Sequence, residues 1–311
     1  MSRIAYVNGR FVPQAHATVA MEDRGYQFAD GIYEVIALYE GRLLDAEGHL
    51  ARLERSLKEL QIQMPMSMRA LECLIGELIR RNRRQNGLIY MQVTRGVALR
   101  NHISKPAHPV LSMSLNPAKY PDAAMREKGV AVITAPDERW ARCDVKSIAL
   151  LPNVLARQAS AEAGAREAWQ INAAGVVTEG SLSNAYIVKD GTIITHPLSH
   201  EILGGITREV VLGFARAQGI AIDERAFTPA EAAAADEAFL TSASSFVLPV
   251  TQLNAAPIGG GKVGAITQQL MAAYDAHIEK HSPNDCHSRA RLARLGNPLT
   301  RSPGSALPTR G

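Results

Sequence analysis

No apolar run in this 311-residue chain approaches the ~18 residues that a membrane-crossing helix needs. The opening Met1-Ser2-Arg3-Ile4-Ala5-Tyr6-Val7 lacks the apolar centre of a secretion signal. Cysteine is scarce: Cys73, Cys143 and Cys286 are odd in number and widely spaced, which argues against a disulfide framework. Cys286-His287 has no second pair of ligands near it, so no metal site is expected. There is no internal repeat and no Walker or Rossmann glycine pattern. Gly259-Gly260-Gly261 precedes Lys262, but no Ser or Thr follows to complete a phosphate loop. A net positive charge is also missing from most of the chain. The net charge is +4, and residues 281–311 hold five arginines (Arg289, Arg291, Arg294, Arg301, Arg310) against Asp285 alone. Residues 1–280 therefore balance, and the charge is no sign of nucleic-acid binding. The tail, rich in Pro, Gly and Ser, is expected to be a disordered basic extension. Cytoplasmic localisation is the default expectation.

What is present suffices for two domains, with a hydrophobic share of 46%. Asn8-Gly9 between residues 3–7 and 10–12 is a hairpin signal. Residues 32–39 are β-rich and end at the turn Glu40-Gly41. Leu50, Leu53, Leu57 and Leu60 mark an amphipathic helix over 47–62, and Leu71, Leu74, Ile75, Leu78 and Ile79 mark a second over 68–81. Strands follow at 88–97 and 109–114. Two prolines in Asn116-Pro117-Ala118-Lys119-Tyr120-Pro121-Asp122 mark a linker. The expected division is an N-terminal domain over 1–116, a linker over 117–122, a C-terminal domain over 123–280, and the tail. Beyond the linker, strands are expected at 129–134, 167–172, 185–189, 192–195, 238–241 and 246–250. Helices are expected at 153–164, 207–218 and 264–279, and a capping box at Thr228-Pro229-Ala230-Glu231 starts another.

Several residues could carry chemistry. Lys146 lies between Cys143 and the apolar run Ile148-Ala149-Leu150-Leu151, which would draw it inward and favour the neutral amine that attacks carbonyls. Glu179 follows the β-type run Val176-Val177-Thr178, and a carboxylate there could keep a pyridine nitrogen protonated. Leu203-Gly204-Gly205-Ile206-Thr207-Arg208 opens a helix whose free N–H groups suit a phosphate. Thr241-Ser242-Ala243-Ser244-Ser245 is a second hydroxyl-rich turn, and Arg52 could reach an anion. If the strand before them stays extended, Arg100 and His102 point the same way and could pinch a carboxylate, to which Tyr33 could donate its hydroxyl. Taken singly, each has a plainer reading: a solvated lysine, a glycine loop, a surface arginine, a packed tyrosine.

Together these segments resemble the fold-type IV pyridoxal phosphate enzymes, and among them most closely the D-amino acid aminotransferases. The likeness covers about residues 4–280. It rests on Glu22-Asp23-Arg24-Gly25-Tyr26-Gln27-Phe28-Ala29-Asp30-Gly31-Ile32-Tyr33-Glu34-Val35, Gln92-Val93-Thr94-Arg95-Gly96, Arg142-Cys143-Asp144-Val145-Lys146-Ser147 and Ile206-Thr207-Arg208, in that order.

The resemblance implies an α+β fold, with a smaller α/β N-terminal domain, a larger β-barrel-like C-terminal domain and flanking helices. It implies pyridoxal 5′-phosphate bound between the domains as a Schiff base on Lys146, with Lys146 also moving the substrate's proton. Glu179 would face the ring nitrogen. Arg52, Leu203, Ile206, Thr207 and the Ser242-Ala243-Ser244 turn would hold the cofactor. Tyr33, Arg100 and His102 would trap the α-carboxylate of a D-amino acid, exchanged with a 2-oxo acid in the manner of D-alanine and 2-oxoglutarate. The unit would be a homodimer, with the trap's Arg and His supplied across the interface. Ala243 departs from a threonine common in the family. Other activities of this fold stay open: a branched-chain L-aminotransferase, an (R)-amine transaminase or an aminodeoxychorismate lyase. A non-catalytic carrier of the cofactor is the remaining alternative class.

Overall fold

The hairpin signal at Asn8-Gly9 becomes a tight turn in the computed structural model, which describes residues 3–103 and 108–280. Both turn residues take positive φ (39° and 95°), the conformation that matches the twist of paired strands. The flanking strands are β1 (Ile4–Val7) and β2 (Arg10–Pro13). A short helix α1 (Arg24–Phe28) leads into β3 (Gly31–Tyr39) and β4 (Arg42–Leu43). Then come α2 (Ala46–Glu59), α3 (Met68–Asn82), β5 (Gly87–Thr94) and β6 (Val110–Asn116). The six strands form one antiparallel sheet in the order β2-β1-β6-β5-β3-β4.

The leucine stripes of α2 and α3 pack on this sheet. Leu53, Leu57, Leu71, Ile75 and Leu78 are buried with Ile32, Ile36, Ile89, Met91 and Leu115 in one core. Their burial is what pins helices of this length to the sheet. Strand β5 stops at Thr94 rather than continuing to 97 as expected. The cause is Gly96, which turns to φ 102° and packs so closely on the His108 carbonyl that a Cβ would sit 2.0 Å from its oxygen.

Residues 117–122 carry no regular element. After them follow α4 (Ala123–Lys128), β7 (Val130–Pro136), α5 (Leu151–Glu162), β8 (Glu167–Ile171), β9 (Val177–Gly180), β10 (Asn184–Lys189) and β11 (Thr192–Thr195). The chain closes with α6 (Ile206–Ala217), β12 (Ala221–Glu224), α7 (Pro229–Ala233), β13 (Glu237–Ser242), β14 (Phe246–Leu253), β15 (Ala256–Pro257) and α8 (Ala265–Lys280). The capping box at Thr228 and Glu231 forms as its sequence predicts. Nine strands make a mixed sheet, β12-β11-β10-β13-β14-β7-β8-β9 with β15 on β14, which forms the barrel-like larger half.

A further apolar cluster joins the halves. Ala37 and Leu44 of the first pack with Tyr186, Val188, Leu212, Phe239, Leu270 and Tyr274 of the second. The joint also runs through the backbone. Ser147 bridges Ile32, Tyr33 N–H donates to the Lys146 carbonyl at 2.9 Å, and Ile148 N–H donates to the Gly31 carbonyl at 3.1 Å. Lys146 is thus held against β3 although it belongs to the stretch between β7 and α5. The tail 281–311, with Cys286, lies outside the described residues, and among those residues no helix is long and apolar enough to cross a membrane.

Candidate active site

The period of two along β3 turns Tyr33 and Val35 toward a cavity of about 290 Å³ and Glu34 away from it, under α2. Lys146, Glu179, Arg52, Leu203, Ile206, Thr207, Ser242, Ala243 and Ser244 line the same cavity. Stretches far apart in sequence therefore converge on one space.

At Lys146 the amine donates to the Tyr33 hydroxyl at 3.2 Å and lies 4.3 Å from the centre of its ring. Tyr33 is itself stacked on Tyr90, with ring centres 5.7 Å apart. The lysine is half-buried, and its backbone is fixed by the strand-like pairing with β3. Cys143 is also on the wall, but burial pushes its thiol up to about 11, so it stays protonated and is no nucleophile near neutral pH.

Glu179 is buried at the end of β9. It accepts from Asn184 Nδ2 at 3.0 Å, from Leu203 N–H at 3.1 Å and from Arg139 Nη1. Arg139 is not Glu179's alone. Its Nε and Nη2 also donate to the two oxygens of Asp137 at 2.9 and 2.7 Å, and Thr178 Oγ1 donates to Asp137 at 2.7 Å. One guanidinium thus serves two carboxylates. Burial alone would raise both; Arg139 outweighs it at Asp137, which is held below its usual value, but not at Glu179, which is pushed up to about 7. Arg139 only partly offsets the burial of Glu179, which faces the cavity. A protonated pyridine nitrogen is a cation of the kind that would complete the offset.

The other end of the cavity is built for an anion. Helix α6 starts at Ile206 with Gly205 as its cap residue and no side chain on the cap, so its first N–H groups are open to a ligand. A Cβ on Gly205 would sit 2.1 Å from Asn184 Oδ1, so glycine is required where the loop passes Asn184. Arg52 donates through Nη1 to the Gly204 carbonyl at 2.8 Å and through Nε and Nη2 to Glu34 at 2.6 and 2.9 Å. Glu34 is fully buried, and His49 Nδ1 donates to it at 2.9 Å. Burial would raise the Glu34 carboxyl, but Arg52 and His49 outweigh it and bring it down to about 2. Ser242 and Ser244 place their hydroxyls 3.3 Å apart at the same wall. A deep carboxylate at one end, a helix start with an arginine and hydroxyls at the other, and an amine between tyrosine and cavity fit pyridoxal 5′-phosphate.

Arg100 and His102 do not join this group within one chain. Both are exposed, and neither lines the cavity. They stand instead on Phe28: the Arg100 guanidinium lies 4.6 Å from its ring centre, and the His102 ring centre lies 5.3 Å from it. The strand expected to carry the pair does not continue; instead, both side chains pack on a shared aromatic platform. Sequence reasoning missed Arg139, Asp137, Asn184, Glu34 and His49. Asp137-Glu138-Arg139 reads as a solvated charged run, and Glu34 reads as the polar phase of an alternating strand.

The class IV amino-transferase family model matches residues 31–253. The D-alanine aminotransferase of Staphylococcus epidermidis is 41% identical over 279 residues, 89% of this chain and 98% of that protein. That of Bacillus licheniformis is 42% identical over 272 residues, 87% of this chain and 95% of that protein. Among solved structures, the branched-chain amino acid aminotransferase of T.th. with pyridoxamine 5′-phosphate superposes with a TM-score of 0.82 at 27% identity, covering 91% of this chain and 96% of that one. A cavity that presents an amine, a cation-seeking carboxylate and an anion cup, in a chain matched along most of its length, leads to one conclusion: this chain belongs to the class IV aminotransferase family and, as a transferase of amino groups, takes pyridoxal 5′-phosphate as its cofactor.

Proposed function

We propose that this protein transaminates D-amino acids, passing the amino group to a 2-oxo acid as D-alanine does to 2-oxoglutarate. The identity to D-alanine aminotransferases over nearly their whole length supports the reading. The observation that carries it is the Arg100–His102 pair on Phe28, a ready clamp for a carboxylate. An amine substrate of an (R)-amine transaminase would have nothing for that clamp to hold.

Bound pyridoxal 5′-phosphate supplies an aldehyde for the amine and a ring that accepts the electron pair left at the substrate's α-carbon. Lys146 would hold the aldehyde and is the group placed to move a proton at Cα. Tyr33 fixes the position of the Lys146 amine. Glu179, oriented by Arg139, Asn184 and Leu203, would hold the proton on the ring nitrogen. Arg52, the α6 N-terminus and the hydroxyls of Thr207, Ser242 and Ser244 bind the phosphate. Leu203 and Ala243 add wall. Tyr33, Arg100 and His102 take the α-carboxylate, which points Cα–H of the D-enantiomer at Lys146.

The clamp reaches that place in a homodimer, from the partner subunit. Ala98 N–H donates to the Glu22 carbonyl at 3.2 Å and Arg24 N–H to the Gly96 carbonyl at 2.9 Å, so the segments around 22 and 98 run side by side. They expose Met21, Tyr26, Val97 and Leu99, and Ile103 is exposed beside the clamp, an apolar surface a second copy would cover. Within each subunit we take 117–122 as the linker between domains 1–116 and 123–280, and cytoplasm as the compartment.

Mixing two inactive variants tests the shared site. Lys146→Ala and Arg100→Ala should each lose D-alanine turnover. Refolded together, they should recover roughly a quarter of wild-type activity, because half the dimers are mixed and each has one intact site. No recovery from mixed dimers would contradict the arrangement.

A further inference from the structure

Asp45 stands immediately before α2, where an aspartate ordinarily caps its own helix through a side-chain bond to an early N–H. It makes no such bond, and its backbone takes the left-handed conformation, φ 51°. The carboxylate goes instead to the last helix of the chain. Tyr274 Oη donates to Asp45 Oδ2 at 3.0 Å, and His277 Nε2 meets Asp45 Oδ1 at 2.7 Å. Burial would raise the Asp45 carboxyl, but His277, with help from Tyr274 and His49, outweighs it and holds it below its usual value. Tyr274 is buried and stacked on Phe246 with ring centres 5.4 Å apart. Its hydroxyl also lies beside Thr207, in the first turn of α6.

The spacing of α2 explains what this tie can do. Gly48 and Arg52, four residues apart, share one face of α2 with His49 beside them, and Asp45 stands at the cap that leads into it. Gly48 rides directly on the start of α6: a Cβ there would be 3.0 Å from Ile206 Cγ2. Arg52 reaches the Gly204 carbonyl just before that helix. That face therefore touches the anion cup, and Asp45 is its anchor to α8.

We propose that Asp45, held by Tyr274 and His277, is a positioning residue for the phosphate end of the cofactor site. It sets where α2 lies against the α6 N-terminus and so how Arg52 and Thr207 meet a phosphate. The inference rests on the cofactor-site reading above.

The test uses the holoenzyme. Asp45→Asn and His277→Asn are compared with wild type for the dissociation constant of pyridoxal 5′-phosphate and for the phosphorus NMR shift of the bound phosphate. Asp45→Asn should weaken cofactor binding about tenfold, the loss of one charge-assisted bond passed only partly to the cup. The phosphorus signal should move as well. His277→Asn should move both readouts the same way, by less. Glu237→Gln is the control for loosening of the helix alone. Glu237 caps α8 through Ile266 N–H and Thr267 N–H at 3.0 and 2.8 Å, at the end away from Asp45. It should lower thermal stability and leave both phosphate readouts unchanged. If Asp45→Asn lowers stability but moves neither readout, or if Glu237→Gln moves them equally, the proposal is overturned. Should wild-type protein itself fail to bind the cofactor through Lys146, the functional reading fails, which is a different result.

Discussion

Glu179 shows how much of this site is decided by a single charge. It shares the Arg139 guanidinium with Asp137, and burial leaves it pushed up to about 7 from an ordinary 4.5. A folded-state value above the unfolded one means the proton binds more tightly in the folded protein. Its contribution is then fully present below pH 4.5 and lost as pH rises through 7. A shift of that size is worth about 3 kcal/mol. In cofactor-free protein, Glu179→Gln should therefore gain stability relative to wild type by that order between about pH 4.5 and 8. Urea unfolding of both proteins across the range checks it, and a constant difference would contradict the account. Lys146, Glu179 and the Ile206-Thr207 start were legible because their types and order were telling. Arg139 and Glu34 were not, because their importance is a matter of burial. Local sequence does not say that β7 and β9 bring Asp137, Arg139 and Glu179 together, or that Glu34 is covered by α2.

At the scale of elements, the long periodic segments were read correctly, and the missed elements were all short. Helices α2 and α3 carry apolar stripes that only a helix can bury on one side. Helices α1 and α4 span five and six residues, too few for a stripe to show, and exist because Asp23 and Asp122 cap them by accepting from Gly25 and Met125 N–H at 2.8 and 2.9 Å. Strands β12 and β15 form at the margins of the large sheet by pairing with β11 and β14 and have little apolar pattern of their own. Capping across elements is equally invisible in sequence. Glu237 lies on β13, yet it holds the start of α8 with three hydrogen bonds, to Ile266 N–H, Thr267 N–H and the Thr267 hydroxyl. Glu237→Gln should cost about 1–2 kcal/mol, as the loss of a charged cap does. Thermal unfolding measures this, and a midpoint equal to wild type would remove the cap from the account.

The whole molecule places its chemistry where two sheets meet. The first sheet contributes Tyr33 and, through α2, Arg52; the second contributes Glu179, the α6 start and the serine turn. Lys146 belongs to the second half by sequence and is tied to β3 of the first by backbone bonds. The cavity therefore depends on the joint between halves, and the apolar cluster of Ala37, Leu44, Tyr186 and Phe239 keeps that joint rigid. What the single chain leaves apart is the Arg100–His102 pair proposed as the carboxylate clamp, exposed beside an apolar surface on the first half. The central claim joins all of these: one lysine-bound cofactor, served by that clamp, reads the hand of an amino acid. The most direct test is the visible absorbance of the purified, cofactor-loaded protein before and after D-alanine or, separately, L-leucine. The account predicts that D-alanine alone discharges the band of the lysine-bound cofactor to its amine form. Discharge by L-leucine alone would contradict it and transfer the assignment to branched-chain L-amino acids.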